Sequence, residues 1–156
     1  MLQRLFPGRI DNGYGGQAAA LWLLGLLAVV KALMGGNSIV NARSVAAGAD
    51  GLVLDRYGGG GAEAVILLFS LTGLAGLVLA LQAALVLVRY RAAVPLMYLM
   101  LLVEWGARRA IILAHPIERS TDGAGYINLG LLAVMILGFT LSMVGKRYAD
   151  PAADRP

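Results

Sequence analysis

Residues 64–88 read AVILLFSLTGLAGLVLALQAALVLV, 25 consecutive positions without a formal charge, in which Ser70, Thr72 and Gln82 are the polar members. A helix needs about 20 predominantly apolar residues to cross about 30 Å of hydrocarbon, so this stretch is long enough to span a bilayer. On the N-terminal side, Ala18 to Met34 gives 17 residues interrupted only by Lys31. On the C-terminal side, Tyr126 to Gly145 is apolar and closed by Lys146 and Arg147.

Between them, Pro95 to Ala114 is purely apolar only in its first half, because Glu104, Arg108 and Arg109 lie inside it. If this segment stayed in water, the run LMYLMLLV at 96–103 would be exposed at a high cost, which favours insertion. Pro95 suits the first turn of a helix, where its missing N–H costs nothing. The expected fold is an all-α integral membrane protein, an antiparallel bundle of four transmembrane helices in a single domain. The spans are 17–35, 63–88, 95–114 and 126–145, with a long outer loop at 36–62.

The composition agrees. Of 156 residues, 59% are hydrophobic and 14% charged, whereas soluble domains run near 45–50% and 25%. The absence of cysteine excludes thiolate nucleophiles, disulfide exchange, iron–sulfur clusters and Cys-ligated zinc. The single histidine, His115, excludes a multi-histidine metal centre within one copy. Neither a cofactor nor a metal is expected. The net charge of +4 does not point to nucleic acid, because the basic residues cluster at the ends of apolar segments as topology signals. With both termini cytoplasmic, that side collects Arg4, Arg9, Arg89, Arg91, Lys146, Arg147 and Arg155, against Arg43, Arg56 and Arg119 opposite. The expected location is therefore a membrane, the inner one in a bacterium. The 17-residue first run exceeds the 7–15 residues usual in a signal peptide and reads as a retained helix.

In the outer loop, Asn37 or Ser38 is placed to cap a short interfacial helix reaching about Gly48, followed by a turn at Ala49-Asp50-Gly51. The run Gly58 to Gly61 reads as a hinge; it lacks the Lys-Ser/Thr of a phosphate-binding loop.

Charge inside the membrane is the main functional signal. At 100° per residue Glu104, Arg108, Ile111 and His115 share one stripe, while Arg109 points about 140° from Glu104. Glu104 and Arg108 stand at i,i+4 with the acid first, the better order for an ion pair. Lys31 lies at a similar depth, and Glu63 opens the second span. The outer half thus holds three cations against Glu104 and Glu63. In one reading Glu104 pairs with Arg108 while Lys31 and Arg109 reach outward to the headgroups, and the cluster is structural. In the other, Lys31, Glu63, Glu104, Arg108, Arg109 and His115 form a site for an anionic group, such as a lipid phosphate or a carboxylate. His115 itself reads as an interfacial residue ending its helix.

Small residues mark packing faces: Thr72, Gly76, Ala80 and Ala84 on the second span, Gly130, Gly138 and Ser142 on the fourth, and Ala28, Ala32 and Gly36 on the first. Hydroxyls within apolar spans are expected to bond their own backbone. Short connections make spans two and three, and three and four, expected neighbours. With no catalytic constellation, the expected function is non-enzymatic: an accessory, scaffold or ligand-binding subunit meeting the bilayer and either a membrane-protein partner or an anionic lipid. A small transporter for an anionic or lipid-like solute is the alternative, and the oligomeric state is left open.

Overall fold

The computed structural model describes residues 5–8, 10–116 and 125–145, which are mostly helical and contain no β-strand. Four long helices dominate: α1 (Ala18–Val40), α2 (Gly59–Arg89), α3 (Val94–Ala114) and α4 (Gly125–Met143). Three of them, α1, α2 and α4, are long and apolar enough to cross a membrane. The fourth, α3, has the length, but Glu104, Arg108 and Arg109 set it apart. Large apolar side chains face outward all along the helices, among them Trp22, Leu33, Leu68, Leu81 and Leu129. Only 11% of the most apolar stretch of α2 is buried inside the protein, so the rest of that surface calls for an apolar solvent.

The first two helices are longer than the sequence reading placed them. Instead of ending near Gly35, α1 continues through Gly36, Asn37 and Ser38 to Val40. Gly58 is the residue before α2, and Gly59 to Gly61 form its first turn, so the expected hinge is helix. The loop shrinks to residues 41–58. It starts with a helical turn at Ala42–Ser44 and continues as a wider turn at Val45–Ala49. Gly51 stops it with φ 66°, the left-handed conformation glycine adopts without a Cβ penalty, while the Leu52 N–H donates to the Ala46 carbonyl. Ala46, Leu52 and Leu54 then bury against Val65 and Phe69, fastening the loop to α2.

Of the two neighbour pairs expected from short connections, α3 with α4 is found, while α2 with α3 is a minor contact. The most extensive contact joins α1 and α2, although the longest connection separates them. α1 also packs on α4, and α4 on α3, while α2 and α3 meet much less despite their short link. The main core gathers Leu24, Leu27 and Ala28 of α1, Ala83 of α2, Met97, Tyr98 and Leu101 of α3, and Met135 of α4. It lies toward the end of the bundle that holds the α2–α3 link.

At that end residues 10–17 run across the helix termini. The Ala92 N–H donates to the Asp11 carbonyl at 3.2 Å, and the Gln17 N–H to the Leu141 carbonyl at 3.2 Å. Tyr14 packs beside the main core and donates its hydroxyl to the Gln17 carbonyl, and burial pushes that hydroxyl's pKa up to about 12.

Candidate functional site

The site is built around Glu104, midway along α3. The Lys31 ammonium of α1 donates to its Oε2 at 2.9 Å, and the Arg108 guanidinium donates to its Oε1 through Nη2 at 2.6 Å and Nε at 3.1 Å. The carboxylate thus joins two helices and has a cation on each oxygen. Lys31 and Glu104 are largely covered, with side chains 19% and 24% exposed, whereas Arg108 is 48% exposed.

The local sequence explains each orientation. Lys31 follows Leu24, Leu27 and Ala28 at i+7, i+4 and i+3 and precedes Gly35 by four, so it shares the buried face of α1. It therefore does not reach outward to the headgroups as the structural reading of the sequence had it. The Cα–Cβ bond of a helical residue also tilts toward the helix N-terminus, which for Lys31 means deeper into the bundle. The same tilt brings Arg108 back onto Glu104, one turn earlier.

The remaining members of the expected cluster are not brought together with this triad. Glu63 accepts from Arg43 of the loop at 2.8 Å, and both side chains are mostly exposed, at 69% and 61%. Arg109 is exposed and has no ion pair among the described residues. His115 is exposed at the end of α3, where its N–H donates to the Ile111 carbonyl. With Glu63 taken up by Arg43, the group of Lys31, Arg108 and Arg109 has only Glu104 against it among the described residues, a surplus of two positive charges there in place of one.

The packing residues shift in register. Gly35 and Gly73 lie against each other: a Cβ on Gly35 would stand 2.7 Å from the Gly73 carbonyl oxygen, and one on Gly73 would stand 2.6 Å from that of Gly35. Gly76 lies beside this crossing, and Ala80 and Ala83 continue the buried face, while Thr72 and Ala84 are exposed. A strict four-residue stripe turns about 40° per step, so its two ends leave the face that its middle buries. On α1 Gly36 is likewise displaced by its neighbour Gly35, and a Cβ on Gly36 would meet no described atom within 4 Å; Ala28 is buried and Ala32 half-buried. On α4 Gly138 is packed by the Tyr98 ring and Ser142 is buried, but Gly130 is exposed.

Tyr98 is the residue the sequence reading passed over. Its hydroxyl, fully buried, donates to the Ala20 carbonyl at 2.7 Å and so ties α3 to α1 beside α4. A lone hydroxyl within the apolar run 96–103 needs a partner, and that requirement was the available signal. Ser70, Thr72, Thr140 and Ser142 donate to carbonyls three or four residues back in their own helices. No protein-family model, curated protein or solved structure matches the chain.

Proposed function

We propose that this chain is a non-enzymatic polytopic membrane protein in which all four long helices cross the bilayer, and that it serves as an accessory or ligand-binding subunit. The observation that carries this reading is the charge on α3. This helix is 21 residues long, about 31 Å at 1.5 Å per residue, which matches the hydrocarbon thickness. Its inward half belongs to the main core, and its only acid is held by a lysine from a helix that spans by length and composition. A membrane-embedded Lys31–Glu104 pair is far less costly than either charge alone. The surplus positive charge of Arg108 and Arg109 then faces out of the bundle and attracts an anionic group. The basic residues favour an inner membrane with both termini cytoplasmic, which puts the loop of residues 41–58 on the opposite side.

A transporter for an anionic or lipid-like solute is the second reading. Its support is that the backbones of α1 and α3 come close at few places, so that the Lys31–Glu104 bridge has the position of a gate. Native mass spectrometry of the protein released gently from its own membrane, recording bound chains and lipids together, tests the preferred reading. A stoichiometric protein partner, or an anionic lipid lost on Arg108→Ala or Arg109→Ala, is the expected result. A bare monomer overturns it.

A further inference from the structure

We propose that the cavity at the C-terminal end of α2 holds the headgroup of a phospholipid bearing both a phosphate and a primary ammonium, as phosphatidylethanolamine does. This site lies toward the other end of the bundle from Arg108 and Arg109, and it goes beyond the binding-subunit reading without resting on it. Its walls follow from two local features. α2 stays apolar from Ala64 to Val88 and meets its next charge at Arg89, so the helix leaves the hydrocarbon there, with Tyr90 at the level aromatic rings favour. Residues 10–12 cross beside that end, held by the Ala92 N–H, which donates to the Asp11 carbonyl at 3.2 Å. The two segments enclose an open cavity of about 410 Å³, lined by Ile10, Asp11, Asn12, Val88, Arg89 and Tyr90.

The lining has one cation and one acid. Arg91, the neighbouring cation, turns back on α2, where its Nε donates to the Leu87 carbonyl at 2.8 Å and caps the helix end. Arg89 is the cation that lines the cavity. The Asp11 carboxylate is oriented by the Gly13 N–H, which donates to Oδ1 at 2.9 Å. No ion pair joins Asp11 to Arg89, so opposite charges line one cavity without neutralising each other. A phosphate toward Arg89 and an ammonium toward Asp11 satisfy both, and the guanidinium fork suits phosphate oxygens. The carbonyl end of α2 adds negative partial charge, which favours that ammonium over a second anion. The bilayer is the source of the ligand. Leu81, Leu85 and Val88 are exposed at i, i+4 and i+7, an apolar stripe that runs along α2 to the cavity wall and can carry an acyl chain. A water-soluble phosphoethanolamine has nothing to lay on that stripe.

The test is native mass spectrometry of the full-length protein in detergent, offered phosphatidylethanolamine and phosphatidylcholine of identical acyl chains in equal amounts. The choline ammonium has no N–H to donate to Asp11, so phosphatidylcholine keeps the phosphate contact and loses the other. The expected result is retention on the order of tenfold tighter for phosphatidylethanolamine, equivalent to about 1.4 kcal/mol. Asp11→Asn keeps the backbone bond to Ala92 and an oxygen for the Gly13 N–H, and it removes the preference. Arg89→Gln weakens both lipids alike. Equal retention of the two lipids by the unaltered protein overturns the proposal without relying on any variant. So does a preference that persists in Asp11→Asn. Competition by glycerophosphoethanolamine as strong as that by the lipid assigns the cavity to a soluble ligand and overturns the lipid. If there is no ethanolamine preference but phosphatidylglycerol is retained through Arg108, this proposal falls and the binding-subunit reading stands.

Discussion

Lys31 and Glu104 form a 2.9 Å ion pair between α1 and α3, two helices that the Tyr98 hydroxyl also joins through the Ala20 carbonyl. The same carboxylate also holds Arg108, so one acid fixes two cations. Replacing it with Gln leaves both cations with a neutral acceptor at a site where water is scarce. Hydrogen bonds to charged groups contribute about 1.5–3 kcal/mol, and Glu104→Gln is expected to lower stability by a similar amount. Thermal unfolding in detergent checks this, with Arg109→Gln as the comparison that breaks no ion pair among the described residues. If solute-coupled flux is found for this protein, loss of flux in Glu104→Gln without loss of stability would favour the transporter reading.

Gly35 and Gly73 permit a close crossing of α1 and α2, each where a Cβ would overlap the other's carbonyl oxygen. Gly73→Ala must push α1 and α2 apart, at a cost of about 1–3 kcal/mol of the kind measured for overpacked cores. Thr72→Ala, one residue away, changes an exposed side chain bonded only to its own helix and should stay within about 0.5 kcal/mol. Paired melting curves decide it: similar effects of the two substitutions would place the crossing elsewhere.

The sequence disclosed the helices because their signal is one of length and polarity, which needs no knowledge of neighbours. Glu104–Arg108 was legible for the same reason, being set by spacing within one helix. What lay beyond it was set between helices. Lys31 was read by its nearness to the membrane surface, but its direction follows from the register of Leu24, Leu27, Ala28 and Gly35, which only a buried face reveals. The displacement from Gly36 to Gly35 is a rotation of 100°, too fine for a small-residue pattern to resolve on helices apolar on every side. Glycine at Gly58 to Gly61 was read by its propensity to break helices, and the packing of the adjoining α2 overrode that preference.

Gly138 and Tyr98 form a second contact that admits no side chain, because a Cβ on Gly138 would overlap the hydroxyl end of the Tyr98 ring. Gly138→Leu is expected to displace that ring and break its bond to Ala20, costing more than the milder Tyr98→Phe. The latter removes one buried hydrogen bond, for which about 1 kcal/mol is typical. A double-mutant cycle in which the two losses do not add would establish that they act through the same contact.

Arg43 and Glu63 join the loop to α2, but both are mostly exposed. Exposed pairs are screened and rarely exceed about 1 kcal/mol, so Glu63→Gln should leave the melting temperature nearly unchanged in high salt. The apolar contact of Leu52 and Leu54 with Val65 and Phe69 is the stronger fastening. Limited proteolysis should therefore cut the loop of Leu54→Ala faster than that of Glu63→Gln; the reverse order would assign the loop's attachment to charge.

Tyr14 couples the segment of residues 10–17 to pH. Burial raises its pKa from 10.0 to about 12, so the folded chain holds this proton more tightly than the unfolded chain does. The stabilisation is complete below pH 10 and is lost as pH rises from there through about 12, because ionisation favours the state in which the oxygen reaches water. The hydroxyl also donates to the Gln17 carbonyl, a bond the phenolate cannot make. Alkaline unfolding of the detergent-solubilised protein, followed by proteolytic cleavage within residues 10–17, should therefore be steeper in the unaltered chain than in Tyr14→Phe. Tyr98→Phe supplies the control for the second buried tyrosine. If Tyr14→Phe follows the unaltered chain across pH 10–12, Tyr14 is not what holds the segment against the helix ends.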